Sequence, residues 1–409
     1  MIPPLSEGEA ERRRDRSALA ERLRRLKELD GGSFGEFASD EGRAARKGAH
    51  PGAAAARVDN LGEILAGWAR VAEHLWLRET VRPSPLRAHR PARFVTHGVA
   101  DDSRLLFLDI ETTGLSGGAG TFAFLVGLGR VQGEYLTVRQ YFLSDYPGEP
   151  EMIAALSEAF GDESFVVSYN GKSFDLPILK TRFALNGRTL APSGHIDLLY
   201  PARRLWKRSL ESCSLHTIET EVLGKNRDDD VPGFLVPEIY FEFLRTGTHD
   251  RLESVFAHHL EDIASLAELL DYIEHLSGRT LPAGVDPVEL GRMLLDRWPE
   301  AGLEILRSAA EKGEPRALRI YSDYLKRAKR FDEAAAFWEA AWKMSAGFYV
   351  GVELAKYYEH KARDMASALS VVNKLEAMTR AARLAPSLGA NDLRRRRARL
   401  ERKSQSQGR

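Results

Sequence analysis

The stretch that most restricts the fold is RLLFLDIETTGLSGGAGTFAFLVGLG, Arg104 to Gly129. Four apolar residues, Leu105 to Leu108, run into Asp109 and Glu111, and on a strand residues two apart point to the same face. A strand ending this way presents two carboxylates together. Adjacent anions repel, and a hard divalent cation such as Mg²⁺ between them relieves the cost. The apolar run marks the strand as central and buried. Thr112, Thr113 and Gly114 then supply hydroxyls and a turn where a substrate can approach the backbone. The pair therefore points to metal rather than to a solvated strand end.

The runs LLFLDIE, TFAFLVGLG and YLTVRQYFL read as three successive strands joined by glycine-rich turns. EPEMIAALSEAF then has helical spacing, FVVSYN reads as a strand, SFDLPILKTRFALN as a helix and HIDLLY as a strand, with mostly helix up to Ser277. This predicts an α/β domain over residues 101–280: a mixed sheet beginning with three consecutive strands and flanked by helices, the element order of ribonuclease H-like domains. Beyond Pro282 the pattern is all-α. A shift of 34 residues brings Leu318 onto Val352, Ile320 onto Leu354, Tyr324 onto Tyr358, Ala328 onto Ala362 and Ala334 onto Ala368. That period predicts tetratricopeptide-like helical repeats over 285–388, with Glu289 to Ala310 as a degenerate third hairpin. Residues 389–409 form a basic tail with eight Lys/Arg against two acids, either a sequence-independent phosphate-binding arm or a solvated charge run.

Residues 1–100 read as a lead-in. Leu19, Leu23, Leu26 and Leu29 put a narrow apolar stripe on a short charged helix from Glu9 to Leu29. Asp30 to Asn60 has neither helical nor strand period and reads as a flexible linker. Leu61 to Val81 reads as helical or mixed around Trp68, Leu75 and Trp76, and the prolines of RPSPLRAHRPARF keep the backbone extended. With 59 Lys/Arg and 59 Asp/Glu, total charge points to no partner. Cys213 is the single cysteine, which excludes an intramolecular disulfide and fits a reducing compartment. No signal core and no run near 18 apolar residues is present, so the expectation is a cytoplasmic protein without a membrane partner.

Two further acids sit where a metal site needs them. Asp175 falls in the first turn of a helix after the Asn170-Gly171 turn, where the helix dipole favours an anion. Asp262 flanks the apolar stripe of Val255, Leu260, Ile263, Leu266 and Leu270, and His258 lies one turn earlier on the same face.

The motifs FLDIETTGL, YNGKSFD and HHLEDIASL, in that order over about Ala100 to Ser277, resemble those of the DEDD superfamily of 3′–5′ exonucleases. In detail the chain resembles the bacterial YprB-type predicted exonucleases with a C-terminal tetratricopeptide-like region, through GGAGTFAFLVGLG, HIDLLYPARRLWKRSLESCSLHTIETEVLG and DDDVPGFLVPEIYFEFLRTG. The resemblance implies that Asp109, Glu111, Asp175 and Asp262 bind two Mg²⁺ or Mn²⁺ ions. It implies a two-metal hydrolysis of phosphodiester bonds at a 3′ end of RNA or DNA, releasing nucleoside 5′-monophosphates. Thr112, Thr113, Gly114, Leu115 and Asn170 fall at the segments that contact the terminal nucleotide; their alternative is turn chemistry and strand packing. Ala257 stands where part of the superfamily has its histidine, and His258 takes the position at which another part has tyrosine. The general base is therefore His258 or His259.

Asp197 is either an outer acid of the site or a buried hydrogen-bonding residue. Arg203, Arg204, Lys207 and Arg208 around Trp206 either track a phosphate backbone and stack a base or form a solvated face. The three acids at 228–230 read as a solvated loop. The helical repeats suit a protein partner. Two other functions compete with the exonuclease: a ribonuclease H-like endonuclease, and a non-catalytic nucleic-acid-binding adaptor that uses the repeats.

Overall fold

The computed structural model describes residues 65, 67–86, 95–96, 101–114, 120–161, 164–227, 231–247, 251–278, 280–344, 347–381 and 388–407. The expected helix at Glu9–Leu29, the linker at 30–60, Leu115 and the acids at 228–230 lie outside the described residues.

Among the described residues a hairpin of β1 (Ala69–Ala72) and β2 (Leu75–Pro83) comes first, which corrects the helical or mixed reading of Leu61–Val81 over its described part. Leu75 and Trp76 are both buried although they are neighbours. Strand β2 is covered on both faces at its start, and this hides the period of two that would have marked it. The antiparallel strands β3 (Leu105–Thr112), β4 (Ala123–Gln132) and β5 (Tyr135–Leu143) follow, then α1 (Glu149–Phe160), β6 (Phe165–Ser168), α2 (Asp175–Leu185) and β7 (Gly194–Asp197), as expected. One seven-stranded sheet results, in the order β1-β2-β5-β4-β3-β6-β7. The β3/β6 and β6/β7 pairs are parallel and the others antiparallel. After β7 come α3 (Leu199–Trp206), the single turn α4 (Leu215–Ile218), a π-helical turn at Glu219–Leu223, α5 (Val236–Thr246) and the long α6 (Leu252–Glu274).

Helix α6 crosses the middle of the sheet, where Leu260 and Ile263 share a core with Leu105 and Phe107. Two glycines of β4 permit the approach. Gly127 pairs with Asp109 across the β3/β4 ladder, and a Cβ on Gly127 would lie 2.1 Å from Ile263 Cδ1 and 2.4 Å from His259 Cε1. On Gly129 a Cβ would meet Ile263 Cγ2 at 2.7 Å. Being two apart, both glycines face the helix. Their absence of side chains brings α6 down onto the strand that carries the carboxylates.

The C-terminal region is all helical: α7 (Pro287–Leu294), α8 (Pro299–Glu311), α9 (Pro315–Arg327), α10 (Phe331–Lys343), α11 (Phe348–Tyr357), α12 (Met365–Ala381) and α13 (Leu388–Gln407). Each helix packs on the next. A shift of 34 residues carries the start of α9 to within one residue of the start of α11, and the start of α10 onto that of α12. Helix α7 belongs to two cores. Its Leu290 and Leu294 join Leu205 and Trp206 beside the sheet, while Val288 joins the core of the later helices. Asp286 caps it by accepting from the Val288 and Glu289 amides, and its own N–H donates to Leu205 O at 2.8 Å.

The basic tail is not a free arm. Its described part is α13, with Leu393 and Leu400 buried, and Arg396, Arg399 and Lys403 donate to the fully buried Glu359 at 2.6, 2.7 and 2.9 Å. Burial pushes the Glu359 carboxyl up, but the hydrogen bonds from Arg399 and Lys403 outweigh it and hold the group down at about 2. Among the described residues no helix is long and apolar enough to cross a membrane.

Candidate active site

Asp109 and Glu111 leave β3 on the face toward α6. Asp109 Oδ2 lies 3.7 Å from His259 Nε2, and Glu111 Oε1 lies 4.0 Å from His258 Nε2. Asp175 opens α2 and is 4% exposed. Three features of the preceding turn put it there. Asn170 takes the left-handed conformation, φ 63°. Gly171 leaves room where a Cβ would fall 2.2 Å from Ser168 Oγ and 3.3 Å from Asp175 Oδ2. Asp197, at the end of β7, accepts from the backbone N–H groups of Asn170, Lys172 and Leu199 at 2.8, 3.0 and 3.1 Å. Asp197 thus ties the turn to the start of α3, the hydrogen-bonding role, and it also lies near enough to Asp175 to raise that carboxyl's pKa.

Asp262 and His258 project from one face of α6, with His258 Nε2 3.3 Å from Asp262 Oδ2. His259 points beneath the site. Its Nε2–H donates to the Asp109 carbonyl at 3.0 Å, and its Nδ1 accepts from Gln140 Nε2 at 3.0 Å. Gln140 also donates to Phe256 O, and its Oε1 accepts from Arg78 Nε and Nη2 at 3.1 and 3.0 Å. With both ring nitrogens engaged and the ring fully buried, burial drives the imidazole pKa down to about 3. His259 is therefore a neutral prop under Asp109, whereas the half-buried ring of His258 stands beside Glu111 and Asp262. The prop reaches through β5 to Arg78 of β2, so the N-terminal hairpin supports the site.

Each of the other three acids lies near enough to act on the charge of Asp109. The Asp109 carboxyl lies well above the usual carboxylate range, first because it is buried and then because Asp262, Asp175 and Glu111 repel its charge, with Arg227 acting in the opposite direction. Burial likewise pushes Asp175 up to about 7, opposed by hydrogen bonds from the backbone at Asp175 and Ile110.

Arg227 is the residue that the sequence did not reveal as part of the site. It follows the π-helical turn, and its guanidinium pairs with the buried Glu219 and, at 2.8 Å, with Asp262 Oδ1. Its Nη1 also donates to His258 Nδ1 and O, both at 3.3 Å. Nothing in KNRDDD distinguishes this arginine from a solvated one, because its partners lie on α6 and on the turn before it.

The Thr112 hydroxyl donates to Gly114 O at 2.8 Å, and Thr113 Oγ1 accepts from the Phe122 amide at 3.0 Å, so both hydroxyls shape the turn. Gly114 is half-buried in that turn and Asn170 is exposed at the tip of its own. Trp206 does not offer a stacking surface: it is 2% exposed and packs in the core.

Among the described residues no three His, Cys, Asp or Glu side chains converge closely enough to hold a metal ion as they stand. At Asp262 the guanidinium of Arg227 supplies the positive charge. The donor chemistry nevertheless suits a hard divalent ion: β3, α2 and α6 offer carboxylate oxygens, and the charges of Asp262, Asp175 and Glu111 push the Asp109 carboxyl up.

A mixed parallel and antiparallel sheet with acids on an interior strand and on the helix packed over it is the architecture of a nuclease-type domain, and the sequence pattern of the RNase H superfamily matches residues 106–274. The chain belongs to the RNase H superfamily. It is also 36% identical over 291 residues to the uncharacterized protein YprB of Bacillus subtilis (strain 168), an alignment that covers 66% of this chain and 69% of that protein. The fold implies a nucleic-acid substrate, and nucleases that share it generally use divalent metal ions.

Proposed function

We propose that this chain is a metal-dependent 3′–5′ exonuclease of the DEDD type, acting on single-stranded or frayed nucleic acid and releasing nucleoside 5′-monophosphates. The observation that carries this reading is that Glu111, Asp175 and Asp262 all act on the charge of the Asp109 carboxyl, with His258 Nε2 3.3 Å from Asp262. These four acids would hold two Mg²⁺ or Mn²⁺ ions, which when bound supply Lewis-acid stabilisation of the phosphate and acidify the attacking water.

His258 accepts that water's proton at Nε2. As arranged, Arg227 donates to Nδ1, which leaves the ring proton on Nε2. Base action requires Arg227 to withdraw from Nδ1, the same movement that frees Asp262. His259 fixes the Asp109 backbone from below and keeps its proton throughout. Asn170 and the Thr112-Thr113-Gly114 turn line the position of the terminal nucleotide. The helical region, with its period of 34, suits a tetratricopeptide-like surface for a protein partner.

The test is a gel assay with 5′-labelled single-stranded RNA, single-stranded DNA and 3′-overhang duplexes in Mg²⁺, Mn²⁺ or EDTA, comparing wild type with Asp109→Asn. A metal-dependent ladder that shortens from the 3′ end, absent in the variant, is expected. Internal cuts would replace this reading with an endonuclease. Intact substrates that still shift on a native gel would leave a binding protein.

A further inference from the structure

We propose that the outer face of α3, together with Lys172, is a binding track for single-stranded nucleic acid leading away from the carboxylate pocket, with Tyr200 as its stacking platform. The inference rests on the nuclease reading above for the identity of its ligand.

Leu199, Ala202, Leu205 and Trp206 turn into the core and leave Tyr200, Arg203, Arg204 and Lys207 outside. Positions 200, 203 and 207 are spaced i, i+3, i+7 and form a single stripe along the helix and its cap. Tyr200 is 48% exposed. Lys172 Nζ stands 5.4 Å from the centre of its ring. Arg204 is occupied by Glu289 at 3.2 Å, and Arg208 lies 3.8 Å from Asp286. Among the described residues no carboxylate comes within ion-pair distance of Lys172, Arg203 or Lys207. The stripe therefore offers three cations and an aromatic face, on a chain whose total charge is zero.

Its position relative to the pocket is fixed by Asp197. That carboxylate holds the N–H of Lys172 with one oxygen and the N–H groups of Asn170 and Leu199 with the other. Lys172 and Tyr200 are thereby locked together at the C-terminal ends of the parallel strands β6 and β7, with Lys172 three residues from Asp175. Arg203 lies close enough to Tyr169, the residue before Asn170, to act on its phenol. The stripe thus starts beside the turn that precedes Asp175 and continues along α3. Cations following a backbone, with an aromatic face for a base, are the means by which proteins hold single strands without reading sequence.

The experiment is fluorescence anisotropy of the full chain with a 5′-labelled single-stranded 12-mer in EDTA, where no cleavage intervenes, over a range of salt. Tyr200→Ala should weaken binding about tenfold, within the range expected for one stacked base, and Tyr200→Phe should restore it to within about twofold. The double variant Arg203→Gln, Lys207→Gln should lower the slope of log K against log salt by about 1.4, or about 0.7 for each phosphate no longer neutralised. A merely structural role for these exposed residues would leave that slope unchanged. Unchanged affinity in Tyr200→Ala with an unchanged slope in the double variant overturns the track, as does a wild-type protein that binds no 12-mer. If Tyr200-dependent binding is found but no substrate is cut in Mg²⁺ or Mn²⁺, the exonuclease reading falls and the track stands. If the wild type cuts from the 3′ end while Tyr200→Ala binds as tightly as wild type, the track falls and the exonuclease reading stands.

Discussion

Replacing Arg227 by methionine removes its charge while keeping most of its length and apolar stem. In the wild-type protein the guanidinium serves Glu219 and Asp262 together, and Glu219 is 2% exposed, so water cannot take over its role. Removing one partner of a buried ion pair costs about 3–5 kcal/mol. The lower end applies, because Asp262 keeps His258 at 3.3 Å and Glu219 keeps its hydrogen bond with Ser265. A loss of about 3 kcal/mol in urea unfolding at pH 8 in EDTA is expected. The sign of its pH dependence follows from Glu219. Burial already raises this carboxyl above 4.5, and Ser265 and Arg227 pull it back. Without Arg227 it rises further. A raised acid binds more protons folded than unfolded, so between 4.5 and the raised value stability falls as pH increases. The deficit of Arg227→Met should therefore be smaller at pH 5 than at pH 8. A deficit under about 0.5 kcal/mol at pH 8, or one that grows on acidification, would refute this account of the pocket.

Asp109→Asn relieves the repulsion seen at the pocket, so it should raise the unfolding midpoint in EDTA while weakening Mn²⁺ binding at least about tenfold by calorimetry; a lower midpoint would count against the shared pocket. Gly127→Ala drives a Cβ into Ile263 and His259 and should cost about 1–3 kcal/mol in urea unfolding, with a fall in nuclease rate as the prop under Asp109 shifts. Wild-type stability in this variant would show that α6 does not need the glycine. Glu359→Gln should destabilise the protein at pH 7. Because the wild-type carboxyl is held at about 2, below its ordinary 4.5, the wild type loses that advantage as pH falls from 4.5 through 2 and the two thermal midpoints should converge there. A gap that persists at pH 2 would mean the cations of α13 do not act through this group.

The strands β3 to β7, the helices between them and the all-α region were legible because each carries its own period, and the 34-residue spacing reappears in the helix starts. The four acids stood out as candidates because each sits at a recognisable local feature: the end of an apolar strand, the first turn of a helix, the edge of an apolar stripe. The N-terminal hairpin was not. Its buried neighbours Leu75 and Trp76 erase the alternation, and its partner β5 lies about sixty residues downstream.

Sequence by itself determined which residue types stand at which local elements, since propensity and periodicity act over a few residues. Tertiary structure alone decided how two adjacent histidines are placed against the carboxylates. One turn of α6 aims His258 at Asp262 and Glu111 and buries His259 under Asp109, and Gly127 and Gly129 on a neighbouring strand make that approach possible. It also decided that Arg227 belongs to the pocket while Trp206 belongs to the core, and that the basic tail is partly spent on Glu359. Charges and rings acquire their roles from groups tens of residues away, and no local pattern encodes such a partner.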